Sequence, residues 1–147
     1  MPHFFEHGCY WQYSHGFSPL QSNTVGAANI SNTRNTATGF QALLNSTTVA
    51  NNTVYGIQAL MSNTTGSGDT AVGFSVLSGN TTGKQNTAVG LGALSNNTTG
   101  FQNIALGGPA GASVTTAYNV ICIGSTGLNI SSSCFYWEYP RGHNRSE

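Results

Sequence analysis

Charge is the scarcest commodity in this sequence. Four basic and four acidic residues serve 147 positions, about 5% of the chain, and the formal net charge is zero. A soluble domain normally carries about 25% charged residues. Phosphate recognition needs clustered Lys and Arg, so nucleic acid is excluded as a partner. A polybasic membrane surface is excluded on the same ground. Long apolar runs are missing as well. No stretch approaches the roughly 18 residues that span a bilayer, so no membrane insertion is expected. The opening residues, Met-Pro-His-Phe-Phe-Glu-His, show neither a basic segment nor an apolar one, and no secretory signal is visible. Cysteine is limited to Cys9, Cys122 and Cys134, an odd count that leaves at least one thiol free or intermolecular.

Catalytic chemistry is equally thin. The carboxylates are Asp69, Glu6, Glu138 and Glu147, and all four histidines lie in the flanks. There is no carboxylate pair in the body, no Gly-x-Ser-x-Gly elbow and no phosphate loop. His3, His7, Cys9 and His15 are metal-ligand types, but their spacing fits no metal-site pattern. The expectation is no enzyme, no cofactor and no metal.

What the sequence has is period. Gly39, Gly56, Gly73, Gly90, Gly107 and Gly124 follow one another at intervals of 17 residues without a slip. Asn35, Asn52, Asp69, Asn86 and Asn103 head the units, and Leu43, Leu60, Leu77 and Leu94 close their first halves. Thr47, Thr64, Thr81, Thr98 and Thr115 form one column and the following threonines form the next. The consensus reads N-T-A-V-G-F-Q-A-L-S-N-N-T-T-G-x-Q. A fixed period of this kind signals a stacked repeat architecture. Helical hairpins need units of more than 30 residues, glycine is too frequent for a helix, and collagen needs Gly at every third position. An all-β, parallel β-solenoid remains, built of 17-residue coils with two short strands each and stacked about 4.8 Å apart. The glycine, leucine and threonine columns then become structural ladders.

Alternation along the first half of a unit places Ala37, Gly39, Gln41 and Leu43 on one face and Thr36, Thr38, Phe40 and Ala42 on the other. Later units put Val72 with Phe74, and Val89 with Leu91, on that second face. A strand apolar on both sides wants burial on both, whereas a thin coil has one inside. The second face therefore calls for another copy of the chain.

The chain divides into an aromatic N-terminal cap or connector (residues 1–22), a repeat domain (23–133, regular over 35–102 and degenerate over 103–133) and an aromatic C-terminal cap and tail (134–147). Ten of the 15 aromatics lie in the flanks, among them Phe4, Phe5, Tyr10, Trp11, Phe135, Tyr136 and Trp137. They either cap the coil ends or join subunits head to tail into a filament. Nine Asn-x-Ser/Thr sequons occur. Asn63, Asn80 and Asn97 stand in one column and are candidate glycosylation sites along one edge. The adjacent threonines cannot make a flat T-x-T array if that stretch is extended, which argues against an ice-binding face.

The run from Asp69, Asp-Thr-Ala-Val-Gly-Phe-Ser-Val-Leu, returns from Asn86 as Asn-Thr-Ala-Val-Gly-Leu-Gly-Ala-Leu. It resembles the YadA-like head repeats of trimeric autotransporter adhesins, and also the NTAVG-type arrays of phage tail fibres and related surface fibres. The resemblance spans roughly residues 23–128. No coiled-coil stalk, membrane anchor or endosialidase-type chaperone domain follows in this sequence. The resemblance implies a left-handed β-roll in a homotrimer at a cell surface, outside the cell or on a virion. Its implied role is a fibre subunit, or an adhesin segment whose partners are glycans or a cell-surface receptor.

Overall fold

The computed structural model describes residues 12–15 and 34–136. Eight short strands form one parallel sheet in sequence order: β1 (Gln12–His15), β2 (Asn35–Thr38), β3 (Thr53–Tyr55), β4 (Thr70–Val72), β5 (Thr87–Val89), β6 (Ile104–Leu106), β7 (Ile121–Ile123) and β8 (Cys134–Tyr136). From β2 to β7 the register advances by the repeat, with Thr36 beside Thr53, Thr53 beside Thr70, and Thr70 beside Thr87. The outermost coils differ in length. Gln12 pairs with Asn35 across 23 residues, and Ile121 pairs with Cys134 across 13.

Each coil contains one strand of three or four residues, not two. The expected alternation runs only as far as the column glycine. After it, Gln41 (φ 58°) and Leu43 (φ 52°) take left-handed backbone, and so do their equivalents Gln58, Leu60, Ser75 and Leu77. These corners rotate the chain, so neighbouring side chains no longer alternate. Ala42 and Leu43 are both fully buried, as are Ala59 with Leu60 and Val76 with Leu77. A third left-handed corner closes the coil at Asn51, Gln85, Gln102 and Asn119.

Hydrogen bonding does not stop where the strands stop. Gly56 N–H donates to Thr38 O, Gln58 to Phe40 O, Leu43 to Ala59 O and Thr64 to Thr81 O, each at 2.8–3.1 Å. The turns are therefore as firmly laddered as the sheet, which satisfies the backbone groups of a chain with little regular structure.

The interior is narrow and made of small pieces. Ala37, Val54, Ala71, Ala88, Ala105 and Cys122 point inward from the sheet. Leu43, Leu60, Leu77 and Leu94 fill the opposite wall. Burying one such leucine contributes about 1.5–3 kcal/mol. Smaller apolar residues such as Ala42, Ala59, Val76 and Ala93 complete this part, and most of the buried polar remainder is amide. Asn35, Asn52, Asp69, Asn86 and Asn103 form one buried column, and Asn63, Asn80 and Asn97 form a second.

Within the first amide column every rung serves two coils. The Oδ1 of Asn35 accepts from Asn52 N–H at 2.9 Å, and its Nδ2 donates to Val49 O at 3.0 Å. The same pair of bonds recurs at Asn52, Asn86 and Asn103. The threonine column adds Thr47 Oγ1 donating to Thr64 O at 2.8 Å, and the bond repeats from Thr64, Thr81 and Thr98 to the next carbonyl.

The glycine column marks the closest approach of one coil to the next. A Cβ at Gly56, where φ is 144°, would collide with the carbonyl of Gly73. The same holds from Gly39 to Gly90, whereas at Gly107 the nearest atom stands 3.6 Å away. Where the repeat degenerates, the next coil no longer crowds the glycine position, although the bonds between coils stay at 2.8–2.9 Å.

Candidate assembly surface

Among the described residues, the outward side of the sheet is an extended surface rich in exposed apolar side chains. Strand alternation sends the first and third residues of each TAV-type strand to solvent while the middle residue goes inside. Tyr55, Val89, Leu106 and Ile123 are exposed in one outward column, and Ile104 and Ile121 in the other. Beyond the glycine corner, Phe40, Ile57, Phe74 and Leu91 continue the surface at 40–66% exposure. Apolar side chains thus run along this surface from Phe40 to Ile123. Contiguous apolar surface on this scale marks an interaction site more often than ordinary monomer exterior.

Of the large apolar residues that alternation assigns to this second face, Phe40, Phe74, Val89 and Leu91 are exposed and Val72 is half-buried. Ala42, assigned to the same face, is buried because the left-handed corner turns it inward. The degenerate coils add what the consensus did not foreground. Ile104, Leu106, Ile121 and Ile123 form an exposed square on β6 and β7. Their signal lay in the columns, where Thr gives way to Ile and Val to Leu or Ile.

The threonine columns separate as expected. Thr64 and Thr81 are half-buried and bonded to the next coil, whereas Thr65 and Thr82 are exposed. On the sheet itself Thr36 and Thr38 do stand in a T-x-T arrangement, but the next coils replace the second threonine by Tyr55, Val72 and Val89. No continuous flat threonine array results.

The glycan assignment for Asn63, Asn80 and Asn97 is corrected by burial. All three side chains are inaccessible. Asn63 Nδ2 donates to Gly66 O at 3.0 Å, Asn80 Nδ2 to Gly83 O at 3.1 Å and Asn97 Nδ2 to Gly100 O at 3.1 Å. The nitrogen that would carry sugar is inside the coil. Among the described sequons, Asn45, Asn51, Asn96 and Asn129 have exposed side chains.

The flank aromatics Phe4, Phe5, Tyr10, Trp11 and Trp137 lie outside the described residues, and Phe135 and Tyr136 are placed as backbone of β8. The C-terminal end of the solenoid nevertheless shows a device of its own. In inner coils the N–H groups of the threonine turn converge on the next coil's threonine carbonyl, as Thr98 N and Thr99 N do on Thr115 O. The short last coil brings the Asn129 side chain there instead. Its Oδ1 accepts from Thr115, Thr116 and Ala117 N–H at 3.0, 2.9 and 2.8 Å.

Among the described residues, two titratable groups are perturbed. Burial raises the Asp69 carboxyl from 3.8 to about 7, against the opposing hydrogen bonds from Asn86. Burial also pushes the Cys122 thiol up, with the nearby Cys134 adding to it. Cys122 and Cys134 are both free. Among the described residues no group of three His, Cys, Asp or Glu side chains is placed to hold a metal ion, and no helix is long and apolar enough to cross a membrane.

Comparison of the chain with protein-family models, curated proteins and solved structures returned no match.

Proposed function

We propose that this chain is a non-enzymatic structural subunit of a fibre, filament or surface appendage, and that its copies associate through the outward face of the sheet. The supporting observation is the uninterrupted exposure of Phe40, Tyr55, Phe74, Leu91, Leu106 and Ile123 along a chain with almost no charge to keep copies apart. Covering one such side chain contributes about 1.5–3 kcal/mol, so a few per coil, repeated over several coils, favour a stable interface. The resemblance to YadA-like heads and phage-fibre repeats makes that assembly a left-handed homotrimer at a cell surface, outside the cell or on a virion. The aromatic ends are then caps, or joints for head-to-tail growth.

Sedimentation equilibrium of the full chain tests this. The expected mass is three times 15.3 kDa, falling to one chain in the Ile104→Glu, Ile121→Glu double variant. A wild-type monomer at tens of micromolar would overturn the reading.

A second reading, an adhesin or receptor-binding segment recognising glycans, is favoured by one feature. The rings of Phe101 and Tyr118 stack 4.9 Å apart at 7°, half-exposed beside the exposed Thr99 and Thr116. Glycan-array binding that is lost in Phe101→Ala and Tyr118→Ala would favour it over a purely structural role.

A further inference from the structure

The buried amide column has one member that is not an amide. At Asn35, Asn52, Asn86 and Asn103 the side chain does two things. Its Oδ1 accepts the N–H found 17 residues later, and its Nδ2 donates to the carbonyl found 14 residues later. Asp69 fulfils the first role, with Oδ1 accepting from Asn86 N–H at 2.8 Å and from Asn86 Nδ2 at 3.1 Å. The second role falls to Oδ2, whose counterpart by the repeat is Gly83 O. A carboxylate there brings lone pairs against a carbonyl oxygen and has only a long bond from Asn80 Nδ2, at 3.3 Å, on that side.

Among the described residues, no group in the surroundings neutralises a charge. The coil above (residues 52–68) and the coil below (86–102) contain no Asp, Glu, His, Lys or Arg. Tyr55, in the coil above, faces solvent from the outward side of the sheet. In its own coil the other charged residue is Lys84, whose side chain is exposed. Asp69 itself is completely buried, and an isolated carboxylate is costly in such a place.

We propose that Asp69 stays protonated in the folded chain and donates its Oδ2–H to Gly83 O, so that losing this proton opens a pH-sensitive weak rung at the middle of the solenoid. A carboxylic acid with one O–H and one C=O reproduces the donor–acceptor pattern of an asparagine side chain, and a carboxylate does not. The rise of the Asp69 carboxyl to about 7 agrees with this. The folded state binds the proton more tightly than the unfolded chain, so stability is complete below the unfolded value of 3.8 and declines until the pH passes the folded value. The coils are therefore tightest in acid and slackest above neutrality.

Two measurements on the full chain decide the matter. First, the ¹³C carboxyl resonance of Asp69 should report a protonated acid at pH 5.5. An ionised carboxylate at that pH overturns the proposal. Second, denaturant unfolding of wild type and Asp69→Asn should be compared from pH 4 to pH 9. The wild-type unfolding constant should rise, relative to the variant, by about tenfold per pH unit across the window and then level off. Parallel curves for the two proteins overturn the proposal. Should Asp69→Asn not fold, the resonance of the wild type decides alone.

Discussion

Asn63 and Gly66 form a closed pair. The Gly66 N–H donates to Asn63 Oδ1 at 2.9 Å, and Asn63 Nδ2 donates back to Gly66 O at 3.0 Å. A Cβ on Gly66 would meet Asn63 Oδ1 and the carbonyl of Gly83. The two positions therefore change together. Asn80 stands with Gly83 and Asn97 with Gly100, but Ser46 stands with Val49 and Val114 with Ala117. Where the glycine acquires a side chain, the asparagine is gone.

This pairing makes a prediction for the first coil. Ser46 is buried and its Oγ has no hydrogen-bond partner. Ser46→Asn alone should destabilise by crowding Val49, and Val49→Gly alone should lose a buried side chain. The double variant should recover much of both losses, with a favourable coupling of about 1–3 kcal/mol. A double-mutant cycle by denaturant unfolding measures it, and additive effects would mean that the two positions are independent.

Left-handed corners without glycine are a second source of strain. Ser75 has φ 52°, and the same column holds glycine at Gly92. Ser75→Gly should stabilise by about 0.5–1.5 kcal/mol, since a left-handed non-glycine residue costs about 1–2 kcal/mol. Leu77 has nearly the same φ, 50°, but its side chain is buried. There glycine should destabilise by about 3 kcal/mol or more, because the lost core leucine outweighs the relieved backbone. Opposite shifts in melting temperature are the readout.

The end cap at Asn129 should be separable from the rest. Asn129→Ala removes one acceptor from three N–H groups and should cost about 1 kcal/mol, moderated by water at this exposed turn. Asn129→Asp should keep the cap, with a carboxyl held below its ordinary range by the three donors. Its contribution is then present above the unfolded pKa and lost as pH falls through the lower folded one. Thermal melts at pH 7 and pH 3 distinguish the two variants.

Burial also predicts where sugar is not found. A chain expressed in a glycosylating host should carry no glycan at Asn63, Asn80 or Asn97 in its folded fraction. Peptide mapping by mass spectrometry checks this site by site, and occupancy at Asn80 in folded material would contradict the placement of that amide.

The period, the parallel stacking and the ladder columns were all legible, because each follows from identical residues recurring at a fixed interval. The existence of an uncovered apolar face was legible too, since Phe74 and Leu91 stand where the interior has no room for them. The first strand is shorter than its alternation suggests, for a physical reason. Gln41-Ala42-Leu43 alternates on paper like a strand, and no residue type in it announces a left-handed turn. That conformation is imposed by the ladder, where Leu43 N–H reaches Ala59 O and the leucine reaches the core. The burial of the Asn63 column was hidden similarly. An asparagine before two threonines reads as surface until its amide is seen closing a ring on the glycine three residues later.

The buried amide column also fixes how such a molecule can change size. Each rung needs an N–H one whole coil further on, and it is indifferent to which coil supplies it. Excising residues 69–85 would deliver Asn86 N–H to Asn52 Oδ1 and leave the column unbroken, with its acidic member gone. Removing a number of residues that is not a multiple of the 17-residue repeat would set an asparagine against the wrong backbone. Between β2 and β7 length therefore comes in whole turns, so a single repeat can be added or lost there without disturbing the column.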